Sequence, residues 1–151
     1  MNIITLYRIS NKLHKKGFRR LSVSIDRLSF LIFNSYVPGS ATIGEGSRCA
    51  YGGIGVVIHY QAKIGRNVII GQACTIGRKL DPKGVPVIGD NVYISAGSRV
   101  LGDIHIGDNV IIGANSVVVN DVPGNSIVAG APAKVIRTID CSIYELLENI
   151  D

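Results

Sequence analysis

Residues 88–119 read IGDNVYISAGSRVLGDIHIGDNVIIGANSVVV, and an aliphatic side chain returns at every sixth position: Ile88, Ile94, Val100, Ile106, Ile112 and Val118. The second position of each six is often glycine (Gly89, Gly107, Gly113), and the fifth is small or β-branched (Val92, Ser98, Val110, Ser116). A period of six fits neither the helical turn of about 3.6 residues nor the two-residue alternation of a strand. It fits short strands joined by bends, in which the first-position aliphatic always points inward and a glycine accommodates the backbone at the bend. The same beat holds upstream at Ile58, Ile64, Ile70 and Ile76, and an earlier coil opens at Ile43-Gly44. The chain is therefore predicted to be a solenoid of six-residue units.

Composition agrees. The 151 residues are 46% hydrophobic with a mean hydropathy of +0.30, enough apolar material for one long stacked column and no second domain. Eighteen glycines without a collagen period suit a turn-dense coil, and the absence of Trp suits a narrow interior filled by Ile and Val. A net charge of +5 is compatible with a phosphorylated cofactor, an acidic polysaccharide or a membrane surface. Cys49, Cys74 and Cys141 are odd in number and unpatterned, which points to a reduced, cytoplasmic protein. There is neither a secretory signal nor an apolar run of about 20 residues that could span a bilayer. No nucleic-acid partner is expected.

Three segments follow in order. Residues 1–35 are predicted to be a helical cap, 36–137 the coil and 138–151 a tail. The first helix runs from residue 2 to about 17, with Ile3, Ile4, Tyr7, Ile9 and Leu13 on its apolar side and Gly17 as its stop. The second, from about Arg19 to Phe33, carries Leu21, Ile25, Leu28, Leu31 and Ile32 and has no evident N-terminal cap. Its basic flank beside Phe30 to Phe33 has the makings of a peripheral membrane contact. The preferred reading is that both helices fold onto the first coil and close its open end, as solenoids require.

Two interruptions stand out within the coil. Ile43 to Ile58 spans two sixes plus three residues, so an irregular piece lies within Cys49 to Val57. Such departures from a repeat are common places for function. Arg78 to Gly84 has turn composition and reads as a protruding basic loop. Ser142 to Ile150 reads as a short acidic helix that should cap the far end.

At Pro86 to Gly97, and again at Asp121-Val122-Pro123 followed by Gly130 to Ile136, the sequence resembles the hexapeptide-repeat acyltransferases. Within that superfamily it is most similar to the serine acetyltransferase branch, to which Tyr7-Arg8 and Lys16-Gly17 also correspond. The resemblance implies an all-β fold, a left-handed parallel β-helix with short N-terminal capping helices and a short C-terminal helix. It further implies a homotrimer with acetyl-CoA sites between neighbouring prisms, and transfer of acetyl to a hydroxyl. Serine is the acceptor it names first, and a sugar or polysaccharide hydroxyl in surface-glycan biosynthesis is the alternative. It also places the pantetheine arm of the co-substrate along Gly77, Ala96 and Ala114, where small residues permit close approach.

The chemistry asks for a base to take the hydroxyl proton and cations to hold phosphates. Arg78, Lys79, Lys134 and Arg137 are the available cations. Among the three histidines, His14 lies on a cap helix among lysines and His105 inside a regular six, whereas His59 adjoins the irregular piece. His59 is the candidate base. The Asp-His pair of the resembled family would align near Tyr51 and Gly52 and its partner carboxylate near Tyr36, so both are replaced here. A zinc site of the kind built from three histidines on such coils is set aside, because only His59 and His105 lie within the coil. No metal is expected.

Overall fold

A computed structural model describes residues 2–81 and 83–148. The coil has three parallel faces. Face one stacks Thr42–Ile43, Lys63–Ile64, Val87–Ile88 and His105–Ile106. Face two stacks Arg48–Cys49, Ile69–Ile70, Val92–Ile94, Val110–Ile112 and Ser126–Gly130, and Ala133–Thr138 adds antiparallel to its edge. Face three stacks Val57–Ile58, Thr75–Gly77, Arg99–Leu101 and Val117–Val118. The chain visits one, two and three in turn, which is a parallel β-helix.

The six-residue beat is the inward column. Ile43, Ile64, Ile88 and Ile106 stand in register on face one. Cys49, Ile70, Ile94, Ile112 and Val128 do so on face two, and Ile58, Ile76, Val100 and Val118 on face three. All are buried. The fifth-position residues Val92, Ser98, Val110 and Ser116 are buried as well. The serines survive there because their hydroxyls donate to a carbonyl, Ser98 to Gly113 at 2.9 Å and Ser116 to Gly113 at 2.6 Å.

Second-position glycines are required by the stacking itself. A Cβ on Gly107 would lie 2.4 Å from the Gly124 nitrogen, and one on Gly71 would lie 2.6 Å from the Ala96 nitrogen. Gly77 is the exception: a Cβ there would meet nothing closer than 3.9 Å.

α1 (Ile3–Lys15) closes the open end of the first coil as expected. Ile3, Ile4 and Tyr7 are buried, the Tyr7 hydroxyl donates to the Ala41 carbonyl (2.9 Å), and Arg8 donates to the carbonyls of Ile43 and Gly44. Those carbonyls belong to the coil's free edge, which has no lower neighbour to satisfy them.

α2 (Arg19–Phe33) corrects the expected cap. It buries Ser22, Asp26 and Ser29, and leaves Leu21, Leu28, Leu31 and Ile32 exposed. The cause is a polar seam. Ser10 of α1 bonds the Ser22 hydroxyl (2.8 Å) and donates to the Asp26 carboxylate (2.6 Å), which also accepts from the Gly39 amide (3.1 Å). With Ser10 turned toward this seam, Ile9 faces solvent at 47% exposure, outside the apolar side assigned to it.

The tail departs too. α3 is one turn, Ile143–Leu146, and it lies along face two instead of over the end. The Ile143 amide donates to the Asn109 side chain (2.8 Å), and the Tyr144 hydroxyl donates to the Asn67 carbonyl two coils further back. Leu147 and Glu148 are described and are not helical, and residues 149–150 of the expected helix lie outside the described residues.

Candidate active site

His59 and Gly77 meet at the corner between faces three and one. They share a shallow hollow of about 240 Å³ with Tyr36, Tyr60 and Thr75, and the His59 amide donates to the Ile76 carbonyl (2.8 Å). The imidazole stacks on Tyr60, with ring centroids 4.4 Å apart. Its Nδ1 accepts the Gln61 backbone N–H at 3.2 Å. In the neutral ring that arrangement puts the proton on Nε2, leaving Nδ1 as the basic nitrogen.

The same corner carries the protruding loop that lifts away after Gly77. Leu80 at its tip is 99% exposed. Arg78 is exposed, whereas Lys79 folds back across Gly102 and donates to the Val119 carbonyl at 3.4 Å.

Ala96 and Ala114 occupy the next corner, between faces two and three, one coil apart. The Asn115 amide donates to the Ala96 carbonyl (2.9 Å). Lys134 is opposite Ala129 on the edge hairpin, and the Ala129 methyl lies 3.0 Å from where a Cβ on Gly113 would be. Lys134 thus belongs to the alanine corner. Arg137 is opposite Ile127, three residues along the strand and about 10 Å away. Gly77 lies across face three from both alanines, so within one chain the three small residues form two groups and not one line.

A second hollow, about 550 Å³ and larger than the one beside His59, lies away from the residues expected to form the site, apart from Ala96 on its rim. It is lined by Arg48, Tyr51, Gln72, Tyr93 and Tyr144 among others, between face two and the tail. The irregular piece builds one wall of it: three extra residues are taken up in a tight turn at Ala50–Gly53, where Tyr51 has φ 48° and Gly52 has φ 75°. Tyr51 is 77% exposed. Burial raises the Tyr144 phenol above its ordinary value, and the Arg48 charge partly opposes that rise. A signal for this hollow was present in the sequence, because Arg48, Ile69 and Tyr93 directly precede inward residues and so stack outward in register. Tyr144 could not be read that way, since it arrives from far along the chain.

His105 projects outward from face one and is exposed; its backbone amide donates to Asp121 (2.8 Å). His14 sits on α1. Neither lines the hollow that holds His59 and Gly77 or the one that borders Ala96.

A coil of six-residue units, whose short strands pair in parallel on three faces, is the architecture of a hexapeptide-repeat protein. The family described as "Bacterial transferase hexapeptide (six repeats)" matches residues 86–120. The serine acetyltransferase of Helicobacter pylori (strain J99) is 37% identical over 90% of this chain and 80% of its own length. The chain belongs to the serine acetyltransferase family. It spans about two-fifths of the length of the plant relatives, matching serine acetyltransferase 2 of Arabidopsis thaliana at 36% identity over 89% of this chain and 42% of that protein. Among solved structures, the serine acetyltransferase of Brucella abortus strain S19 in complex with coenzyme A has a TM-score of 0.86 at 32% identity, over 92% of this chain and 56% of that one. A serine acetyltransferase in complex with cysteine has a TM-score of 0.87 at 30% identity, over 97% and 58%.

Proposed function

We propose that the protein is an acetyl-CoA-dependent O-acetyltransferase of the serine acetyltransferase type, acting on a small hydroxyl acceptor. The observation that carries the reading is the corner where Ala96 and Ala114 stack beside Lys134, open on one side into the tyrosine-lined hollow. Two small side chains admit the pantetheine arm, an ammonium faces its phosphates, and the hollow holds the acceptor. Gly77 adds a second point of close approach, since among the described residues a Cβ there would meet nothing closer than 3.9 Å. Arg78, Lys79 and Arg137 are further cations for the nucleotide end.

His59 takes the proton of the acceptor hydroxyl as its oxygen bonds to the thioester carbonyl carbon, and the protonated imidazole returns that proton to the coenzyme's sulfur as the C–S bond breaks. His59 does so from Nδ1, giving up the Gln61 contact at a cost of about 1 kcal/mol. Because His59 and Gly77 are at one corner and Ala96 and Ala114 at another, a complete site joins two prisms. This fits a homotrimer of left-handed coils with its sites between subunits. The division into a cap (1–35), a coil (36–137) and a tail (138–151), and a cytoplasmic location, belong to the same reading.

A sugar hydroxyl is the second acceptor class, and one observation favours it. Tyr51, Tyr93 and Tyr144 converge on the hollow, and flat aromatic faces with hydroxyl tips suit the apolar face and polar rim of a pyranose. The test is coenzyme A release from acetyl-CoA with L-serine and with a panel of hexoses and amino sugars, the products identified by mass. Acetylserine supports the first acceptor, an acetylated sugar the second, and no transfer with either contradicts the proposal.

A further inference from the structure

The α1–α2 hairpin faces outward with the wrong side of its second helix. Asp26, the sole acid in residues 1–40, is turned inward onto Ser10 and Gly39. Phe18, Leu21, Val23, Leu28, Phe30, Leu31 and Ile32 are each at least 45% exposed, Leu31 at 79%. By the helical period, Leu21, Leu28 and Ile32 form one flank of α2, Val23 and Phe30 form the other, and Arg20, Arg27 and Leu31 run along the crest. Guanidinium groups and apolar side chains therefore alternate over one convex surface. Arg19, Arg20 and Arg27 border a hollow with Val23, and Arg27 borders another with Phe30 and Leu31.

Charge is segregated in the same way. Residues 1–40 hold seven Lys and Arg against one acid, a balance of +6, while the whole chain has +5. The coil and tail are thus close to neutral, and the positive charge of the molecule is concentrated on this hairpin.

We propose that the exposed face of α2 docks on an anionic lipid bilayer. An apolar face interleaved with arginines is what lies stably in the headgroup layer, its side chains reaching the acyl boundary while the cations meet lipid phosphates. A second copy is disfavoured as the occupant, because it would set one cationic hairpin against another. A fixed acidic protein surface would have to match each arginine individually, whereas a fluid headgroup layer adapts to them. The contact is peripheral, since no helix among the described residues is long and apolar enough to cross a membrane. At about 1.5 Å per residue, α2 would lie about 22 Å along the surface.

Vesicle flotation of the full chain tests this. The protein should float with phosphatidylcholine vesicles containing about 30% phosphatidylglycerol, stay behind with pure phosphatidylcholine, and be released in part by about 0.5 M sodium chloride. Leu28→Glu/Leu31→Glu should abolish flotation, and Arg20→Glu/Arg27→Glu should weaken it on the order of tenfold or more. Both pairs are exposed, so circular dichroism should match the parent; the arginine pair carries the test if the leucine pair does not fold. Failure of the parent to float on anionic vesicles overturns the proposal, as does flotation unchanged in both folded variants. Light scattering that shows the leucine pair splitting a larger assembly would assign the face to a second copy. Capture by polyglutamate without flotation would assign it to an acidic protein.

Discussion

The Asn115 amide donates to the Ala96 carbonyl at 2.9 Å, and this bond sets Ala114 directly beyond Ala96 along the corner between faces two and three. Ala114 is exposed there, so a large side chain is accommodated without disturbing the column. Ala114→Tyr should keep the parent's thermal midpoint and bind acetyl-CoA at least about tenfold more weakly, the loss of about 1.4 kcal/mol. Calorimetry giving equal affinities would remove this corner from the site.

Two glycines separate fold from function. Gly107→Ala puts a methyl 2.4 Å from the Gly124 nitrogen, and the coils must part; a cost of about 1–3 kcal/mol is expected. Gly77→Ala meets nothing closer than 3.9 Å. It should melt with the parent while losing acetyl-CoA affinity. A large drop in the Gly77→Ala midpoint would mean that its glycine serves the fold.

The aliphatic column is the least tolerant part of the molecule. Ile94 is fully buried between Ile70 and Ile112, and Ile94→Asp strands a carboxylate where it has no partner. A loss of about 3–5 kcal/mol should leave the protein unfolded or insoluble. An unchanged thermal midpoint would show that the six-residue phase is misassigned.

That phase was fully legible in the sequence, and so was the irregular piece, because both rest on counting inward residues along one chain. Legible too is the separation of Gly77 from the alanines: Gly77 follows a face-three residue, Ile76, whereas Ala96 and Ala114 follow face-two residues, Ile94 and Ile112. The orientation of α2 was not legible. Apolar spacing marks a face of a helix, but the Ser10, Ser22 and Asp26 seam decides which face is buried, and it depends on hydrogen bonds between two helices. The course of the tail was hidden for a similar reason, since Tyr144 and Asn67 are 77 positions apart.

The thiols give a pH test. Burial, followed by the nearby Cys74, pushes the Cys49 thiol up to about 12 from an ordinary value of 9.0, and burial also raises Cys74. Cys49 and Cys74 should resist a thiol reagent in the native state at pH 8 and react on unfolding, while the less buried Cys141 reacts in both. Between pH 9 and 12 the unfolded chain gives up the Cys49 proton and the folded chain keeps it. Stability contributed by the buried thiol is therefore intact below pH 9 and falls as pH rises, by about 1.4 kcal/mol per pH unit for this group. Denaturant midpoints that hold steady from pH 8 to 11 would contradict the burial of Cys49.

The central claim is that acetyl transfer proceeds with His59 as base, and acceptor-dependent release of coenzyme A measures it. With its true acceptor, the parent should turn over, and His59→Ala should be slower by about 10² to 10⁴ with little change in acetyl-CoA affinity, because the base touches the acceptor. His105→Ala, altered on the outside of face one, should match the parent. Full turnover in His59→Ala, or loss of turnover in His105→Ala alone, would contradict the account.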